Sequence, residues 1–170
     1  MKIRPETHKD YSSIELLTYE AFLNHPHHAP GAKPTEHLII NSLRDTGALA
    51  LSLVAEDESG VIGHIAVSPV KIDGRVSSWY GLGPISVAPG KQGQGIGGQL
   101  IKKVMAEMKT LGAEGLVLLG EPEYYTRFGF KPSNCLTLPG VPGEYFMIQS
   151  LCDGDAEIPS GEVAYSPAFG

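Results

Sequence analysis

Cysteine is scarce in this sequence: Cys135 and Cys152 are the only two in 170 residues. They can pair in principle, but a chain of this length builds its own core without a disulfide framework, so a reduced, cytoplasmic protein is expected. Long hydrophobic runs are missing as well. Nowhere do eighteen apolar residues follow one another, and Met1-Lys2-Ile3-Arg4-Pro5-Glu6 has no apolar stretch behind its basic residues. Both absences argue against a membrane span, a membrane partner or export. Concentrated positive charge is lacking too. The formal net charge is −6 with no clustered Lys/Arg footprint, which disfavours nucleic acid as a partner and suits a cationic substrate better. The pattern G-x-x-x-x-G-K-[ST] does not occur, which speaks against a P-loop nucleoside triphosphatase. Internal repeats, linkers and low-complexity segments are likewise absent.

What is present fits one compact α/β domain over residues 1–170, with 42% hydrophobic content. Lys2 to Arg4 reads as a first strand, and Thr7 as the cap of an amphipathic helix carrying Ile14, Leu17 and Ala21. A polar, proline-rich loop holding His25, His27 and His28 follows. A second helix is expected from Thr35 to Asp45, closed by Gly47. The pattern then changes to strands at 48–56, 61–72 and 76–87, joined by Asp57-Glu58-Ser59-Gly60 and Asp73-Gly74, which is the pattern of an antiparallel meander. A helix from Gly95 to Leu111 shows an apolar stripe of Ile96, Leu100, Ile101, Val104, Met105 and Met108, with Gly112 past its end. Gly115 to Leu119 has no alternation, which suits a strand buried on both faces and paired in parallel through a helical crossover. A short helix at 123–128 and strands at 130–138 and 145–151 complete the reading. The glycine-, proline- and acid-rich stretch 153–170 supports no assignment.

The chemistry concentrates in Gln92-Gly93-Gln94-Gly95-Ile96-Gly97-Gly98, where a strand turns into a helix. Main-chain amides at such a junction converge on an anion, helped by the helix dipole, and glycines let phosphate oxygens approach. Four glycines at a helix start cost roughly 1 kcal/mol each relative to alanine wherever they are helical, so a bare turn is the poorer explanation. The same residues also satisfy G-x-G-x-x-G, the dinucleotide fingerprint, with Glu121 placed where a ribose-binding acid is expected. Against that reading, the motif follows an antiparallel meander, and too little chain remains for further βα units.

Ile85-Ser86-Val87-Ala88-Pro89, followed by Gln92 to Gly97, resembles the [QR]-x-x-G-x-[GA] coenzyme A signature of the GNAT superfamily of N-acetyltransferases. Tyr125-Thr126-Arg127-Phe128-Gly129-Phe130 resembles that family's Y-x-x-x-G-F segment, and the order of elements from Lys2 to about Leu138 is similar too. The resemblance implies a mixed, mostly antiparallel twisted sheet flanked by helices, with the strand ending at Val87 and the strand 115–119 splayed apart. Acetyl-coenzyme A would enter as co-substrate, without a metal. Its arm would bond main-chain groups near Ile85, Ser86 and Val87, and its diphosphate would rest on Gln92, Gly93, Gln94, Gly95, Ile96, Gly97 and Gly98. An amine would attack the thioester directly, a main-chain N–H near Val87 would stabilise the oxyanion, and Tyr125 would protonate the leaving sulfur. Relatives often carry an asparagine several residues before this tyrosine. Here Leu118, Leu119, Gly120, Glu121 and Pro122 occupy that stretch, so one coenzyme A contact is missing or replaced.

The amine must also lose a proton, and Glu121 leads as its base because it follows the splayed strand; a plain carboxylate at a helix N-terminus is the competing reading. Ser86, Tyr80 and Glu144 are further options. The three histidines lack a companion Cys or Asp, so a solvated loop is favoured over a metal site, and by position they lie where GNAT relatives cover the acceptor. The resulting expectation is acetyl transfer to a small-molecule or protein amine. An acyl-coenzyme A sensing domain without turnover and a nucleotide-dependent oxidoreductase are the alternatives. Many relatives form homodimers, and the tail 139–170 is a candidate for that contact.

Overall fold

The computed structural model describes residues 1–23, 33–152 and 158–170. The chain opens with β1 (Lys2–Pro5) and a 3₁₀ turn at His8–Asp10, then α1 (Tyr11–Phe22) and α2 (Glu36–Asp45). The meander follows as β2 (Leu51–Asp57), β3 (Gly60–Ile72) and β4 (Arg75–Val87), and it leads into α3 (Ile96–Thr110) and β5 (Gly115–Leu119). The rest comprises α4 (Pro122–Tyr125), β6 (Lys131–Pro132), β7 (Leu136–Thr137), β8 (Phe146–Ser150) and β9 (Gly161–Ala164).

The sheet runs β1-β2-β3-β4-β5-β8-β6, and β9 pairs with the end of β3. All pairings are antiparallel except β4 with β5 and β7 with β9. The α3 crossover brings β5 parallel to β4, as the unalternating Gly115–Leu119 run suggested. Leu100, Ile101, Val104 and Met108 bury the stripe of α3 against Leu53, Ile65, Val67, Leu116 and Leu118 on one face of the sheet. On the other face, Ile14 of α1 and Ile40 of α2 cover Val54, while Trp79, Val117 and Ile148 pack with Leu136 and Val163. At about 25 cal/mol per Å² of apolar area, burial of these side chains is the main stabilising term.

β4 and β5 pair only over Trp79↔Gly115, Tyr80↔Leu116 and Gly81↔Val117. Beyond Gly81 the sequence forces them apart. On β3 the register advances two residues, from Ile65 to Val67, while β4 advances three, from Leu82 to Ile85, so a bulge sits at Gly83-Pro84. Gly83 holds a φ of 136°, open in practice to glycine alone, and Pro84 has no N–H to offer β5. β4 therefore turns away, and a slot opens between the two strands.

Two expectations are corrected. The continuous strand 130–138 is two short ones, because Pro132 removes a ladder donor and the intervening stretch bends; β6 then pairs with β8, and β7 with β9. The unassigned tail carries a real strand, β9, and Tyr165 just after it packs on Gly81, where a Cβ would overlap its ring. The histidine loop at 25–28 lies outside the described residues. Among the described residues, Cys135 and Cys152 are exposed and unpaired, no cluster of potential metal ligands occurs, and no helix is long and apolar enough to cross a membrane.

Candidate coenzyme A and acyl-transfer site

The slot widens into a cleft of about 830 Å³ that meets the start of α3. Ile85, Ser86 and Val87 line it from β4, Gln92, Gly93, Gly95, Ile96, Gly97 and Gly98 from the turn and helix, and Tyr125 from α4. Gln94 and Glu121 are not among the lining residues.

The first helical hydrogen bond of α3 runs from the Gln99 amide to the Gly95 carbonyl at 3.1 Å, so the amides of Ile96, Gly97 and Gly98 have no acceptor within the helix. The glycines divide into two kinds. Gly93 and Gly95 hold φ near +80° and form the turn itself. Gly97 and Gly98 instead make room for α4 and the turn after it: a Cβ on Gly97 would stand 3.1 Å from Tyr124 Oη, and one on Gly98 would stand 3.2 Å from Phe128 Cζ. The Gln92 side chain folds back to donate to the Val87 carbonyl at 3.2 Å, tying the turn to the strand.

The β4 main chain presents its own polar groups to the slot. Val87 lies opposite Gly63, and the next amide, Ala88, donates to the Ile62 carbonyl at 2.9 Å. That pattern makes Gly63↔Val87 a non-hydrogen-bonded pair of the antiparallel ladder, so the N–H and C=O of Val87, and of Ile85 two residues earlier, face away from β3 and toward the slot. β5 has already diverged there and cannot receive them.

Tyr125 is largely buried beside Tyr124, with ring centroids 4.9 Å apart, and edge-on to Phe130 at 6.3 Å. Burial, reinforced by Tyr124, pushes its hydroxyl up to about 12, so it keeps its proton through the neutral range. Glu121 is exposed at the N-cap of α4, where its carbonyl accepts from the Tyr124 and Tyr125 amides at 3.0 and 3.1 Å. Its main chain thus positions the tyrosine.

The sequence reading missed part of the lining. Ala21 and Phe22 close the cleft from α1, and Lys91, Lys102 and Arg127 bring positive charge to it. Lys102 follows Gly98 by one helical turn, a spacing that was available in the sequence. Arg127, with its guanidinium 4.9 Å from the Tyr124 ring centroid, had no comparable signal.

Similarity to known proteins agrees with this geometry. The acetyltransferase (GNAT) domain family matches residues 49–132. Over 99% of this chain and 98% of the relative, the sequence is 32% identical to the uncharacterized N-acetyltransferase YhbS of Escherichia coli K12. A crystal structure of YhbS in complex with coenzyme A superposes with a TM-score of 0.88, covering 99% of this chain and 91% of that one. A GNAT family acetyltransferase of Brucella melitensis, solved with acetyl-coenzyme A, is 43% identical with a TM-score of 0.84, covering 99% and 97% of the two chains. The chain, with its mostly antiparallel sheet, matches these relatives over almost their full length, and it belongs to the GNAT acetyltransferase family.

Proposed function

We propose that the protein, acting as one domain over residues 1–170, moves the acetyl group of acetyl-coenzyme A to a primary amine by direct attack. The observation that carries the proposal is the meeting, in one cleft, of acceptor-free amides at the start of α3, outward-facing main-chain groups of Ile85 and Val87, and protonated Tyr125. In this reading the diphosphate rests on the Gly93 to Gly98 turn, where amides and helix dipole favour an anion, while Lys102 and Arg127 add positive charge. The pantetheine arm adds to β4 like a short strand, taking the ladder positions that β5 has vacated. The thioester then lies beside the Val87 N–H, which stabilises the oxyanion as the amine attacks. The Tyr125 hydroxyl gives its proton to the departing thiolate. Glu121, outside the lining, acts here through its main chain.

The cofactor chemistry of the YhbS and Brucella complexes supports the choice of acetyl-coenzyme A. The test is a thiol-release screen of primary amines, with products identified by mass. An acetylated amine formed at the rate of thiol release supports the proposal. Tight acetyl-coenzyme A binding with no acetylated product from any amine would favour a sensing domain instead.

A further inference from the structure

A line of polar side chains crosses the sheet on the face covered by α1 and α2. Arg44 grips Glu6 with two bonds, Nε to Oε2 at 3.0 Å and Nη2 to Oε1 at 2.9 Å. The Ser52 hydroxyl donates to Glu6 Oε1, and Ser52 Oγ lies 2.7 Å from Nε2 of His64, which is fully buried. These contacts fix the tautomer. The one hydroxyl proton of Ser52 is directed at Glu6 Oε1, so Ser52 must accept from His64 Nε2–H. Nδ1 is then the bare, basic nitrogen, and it has no partner among the described residues.

The residue directly across the ladder from His64 is Ser86. The two form a hydrogen-bonded pair, with Cα atoms about 5.5 Å apart and side chains on the same face. Ser86 lines the cleft, is 2% exposed, and its hydroxyl also lacks a partner among the described residues. α1, which packs on this face, turns in Thr18, whose buried hydroxyl is likewise unpartnered among the described residues. Apolar side chains would fill such positions at lower cost, and unpartnered polar atoms here point to polar traffic. At the far end, Glu6 and Ser52 line a hollow of about 360 Å³ beside Pro5 and Arg44.

We propose that Ser86, His64, Ser52 and Glu6 carry a proton from the acceptor nitrogen to the outer side of the sheet. The path rests on the acetyl-transfer reading above and gives that reaction its base. An acceptor arriving as R–NH₃⁺ has three N–H protons, and the amide keeps one. One of the two lost protons balances the one that the coenzyme A sulfur receives through Tyr125. The other passes to Ser86 Oγ while the Ser86 proton crosses to His64 Nδ1 through a bridging water, since the two atoms are not in direct hydrogen-bond contact; the Nε2 proton moves to Ser52 and the Ser52 proton to Glu6, which releases it into the hollow, and return of the ring to its Nε2–H form closes the cycle. Burial holds His64 down at about 4; Glu6 and Asp10 pull it up and Arg44 pushes it down. The ring therefore rests neutral at pH 7 with its Nδ1 lone pair available, and it passes a proton on without storing one. Ser86 touches the acceptor; the other three act through it.

The test uses the full chain with acetyl-coenzyme A bound. Nitrogen-15 NMR of the wild type is expected to show His64 as the neutral Nε2–H tautomer at pH 7; an Nδ1–H tautomer or an imidazolium overturns the path whatever the turnover. Ser52→Ala and His64→Gln are expected to bind acetyl-coenzyme A with near wild-type Kd. With ethylamine as a minimal protonated probe, they should lower kcat by about 10²-fold, with a rate that climbs with pH where the wild type has levelled. For hydroxylamine, which is neutral at pH 7, the loss should be smaller by about tenfold or more. Equal losses for the two nucleophiles, or an unchanged ethylamine rate, would overturn the path. Failure of the acetyl-transfer reading itself would show differently, as a wild-type protein that acetylates neither ethylamine nor hydroxylamine, whether or not it binds acetyl-coenzyme A.

Discussion

The ring of Tyr125 occupies the space that a side chain on Gly120 would need, since a Cβ there would overlap ring carbons Cε2 and Cδ2. Gly120→Ala must push the ring off its seat. We expect kcat to fall by about tenfold or more with little change in the Kd for acetyl-coenzyme A, because misplacing a catalytic group by about 1 Å costs up to about 10²-fold. Steady-state kinetics with calorimetry checks this; an unchanged kcat removes the tyrosine from the chemistry.

Tyr125→Phe deletes only the hydroxyl and keeps the contacts with Tyr124 and Phe130. The expected loss in kcat is about 10²-fold, within the range of general acid catalysis, with acetyl-coenzyme A affinity nearly unchanged. Because burial raises the hydroxyl to about 12, wild-type activity should show no alkaline decline from this group below about pH 11.

Gly95 caps α3 with a φ of +80°. Two substitutions separate strain from charge. Gly95→Ala forces a Cβ into the left-handed region at a cost of about 1–2 kcal/mol and should weaken acetyl-coenzyme A binding modestly. Gly95→Glu adds a carboxylate beside the diphosphate and should abolish binding while far-ultraviolet circular dichroism stays native. Equal affinities for the two variants would locate the phosphates elsewhere.

Acid stability follows from two groups. The Arg4 hydrogen bond, opposed by burial, holds the Asp10 carboxyl at about 2 against an ordinary 3.8, and burial holds His64 at about 4 against 6.5. In both cases the unfolded chain binds more protons inside the window between the two values, so stability rises with pH there. Their contributions are complete above pH 6.5. Tm should fall as pH drops from 6.5 to 4 and fall again below 3.8, and His64→Gln should flatten the first step while leaving the second. A wild-type Tm that is level from pH 7 to 4 would contradict the burial of His64 as a neutral ring.

The sequence was most readable where signals were local. Asp73-Gly74 marked a hairpin, the stripe from Ile96 to Met108 marked the face of α3, and Gln92 to Gly98 marked the turn at its mouth. It was least readable where function depends on register. Glu6, Ser52 and His64 are 46 and 12 residues apart in the chain, and only the β1–β2 and β2–β3 pairings together bring them into line. The slot had a subtler sign in Gly83-Pro84, whose effect depends on a neighbouring strand that β4 meets only after the α3 crossover. In the tail, Tyr165 stands in a stretch with no local signal of its own, and its seat on Gly81 lies 84 positions earlier in the sequence.

The central claim is that main-chain amides at the mouth of α3 hold the diphosphate of acetyl-coenzyme A. It is tested most directly by following the amide resonances of the nitrogen-15-labelled protein as acetyl-coenzyme A is added. The account predicts saturable shifts that are largest at Gly93, Gly95, Ile96, Gly97 and Gly98, accompanied by Ile85 and Val87. Saturation of binding with those amides unmoved and the largest shifts elsewhere would contradict it.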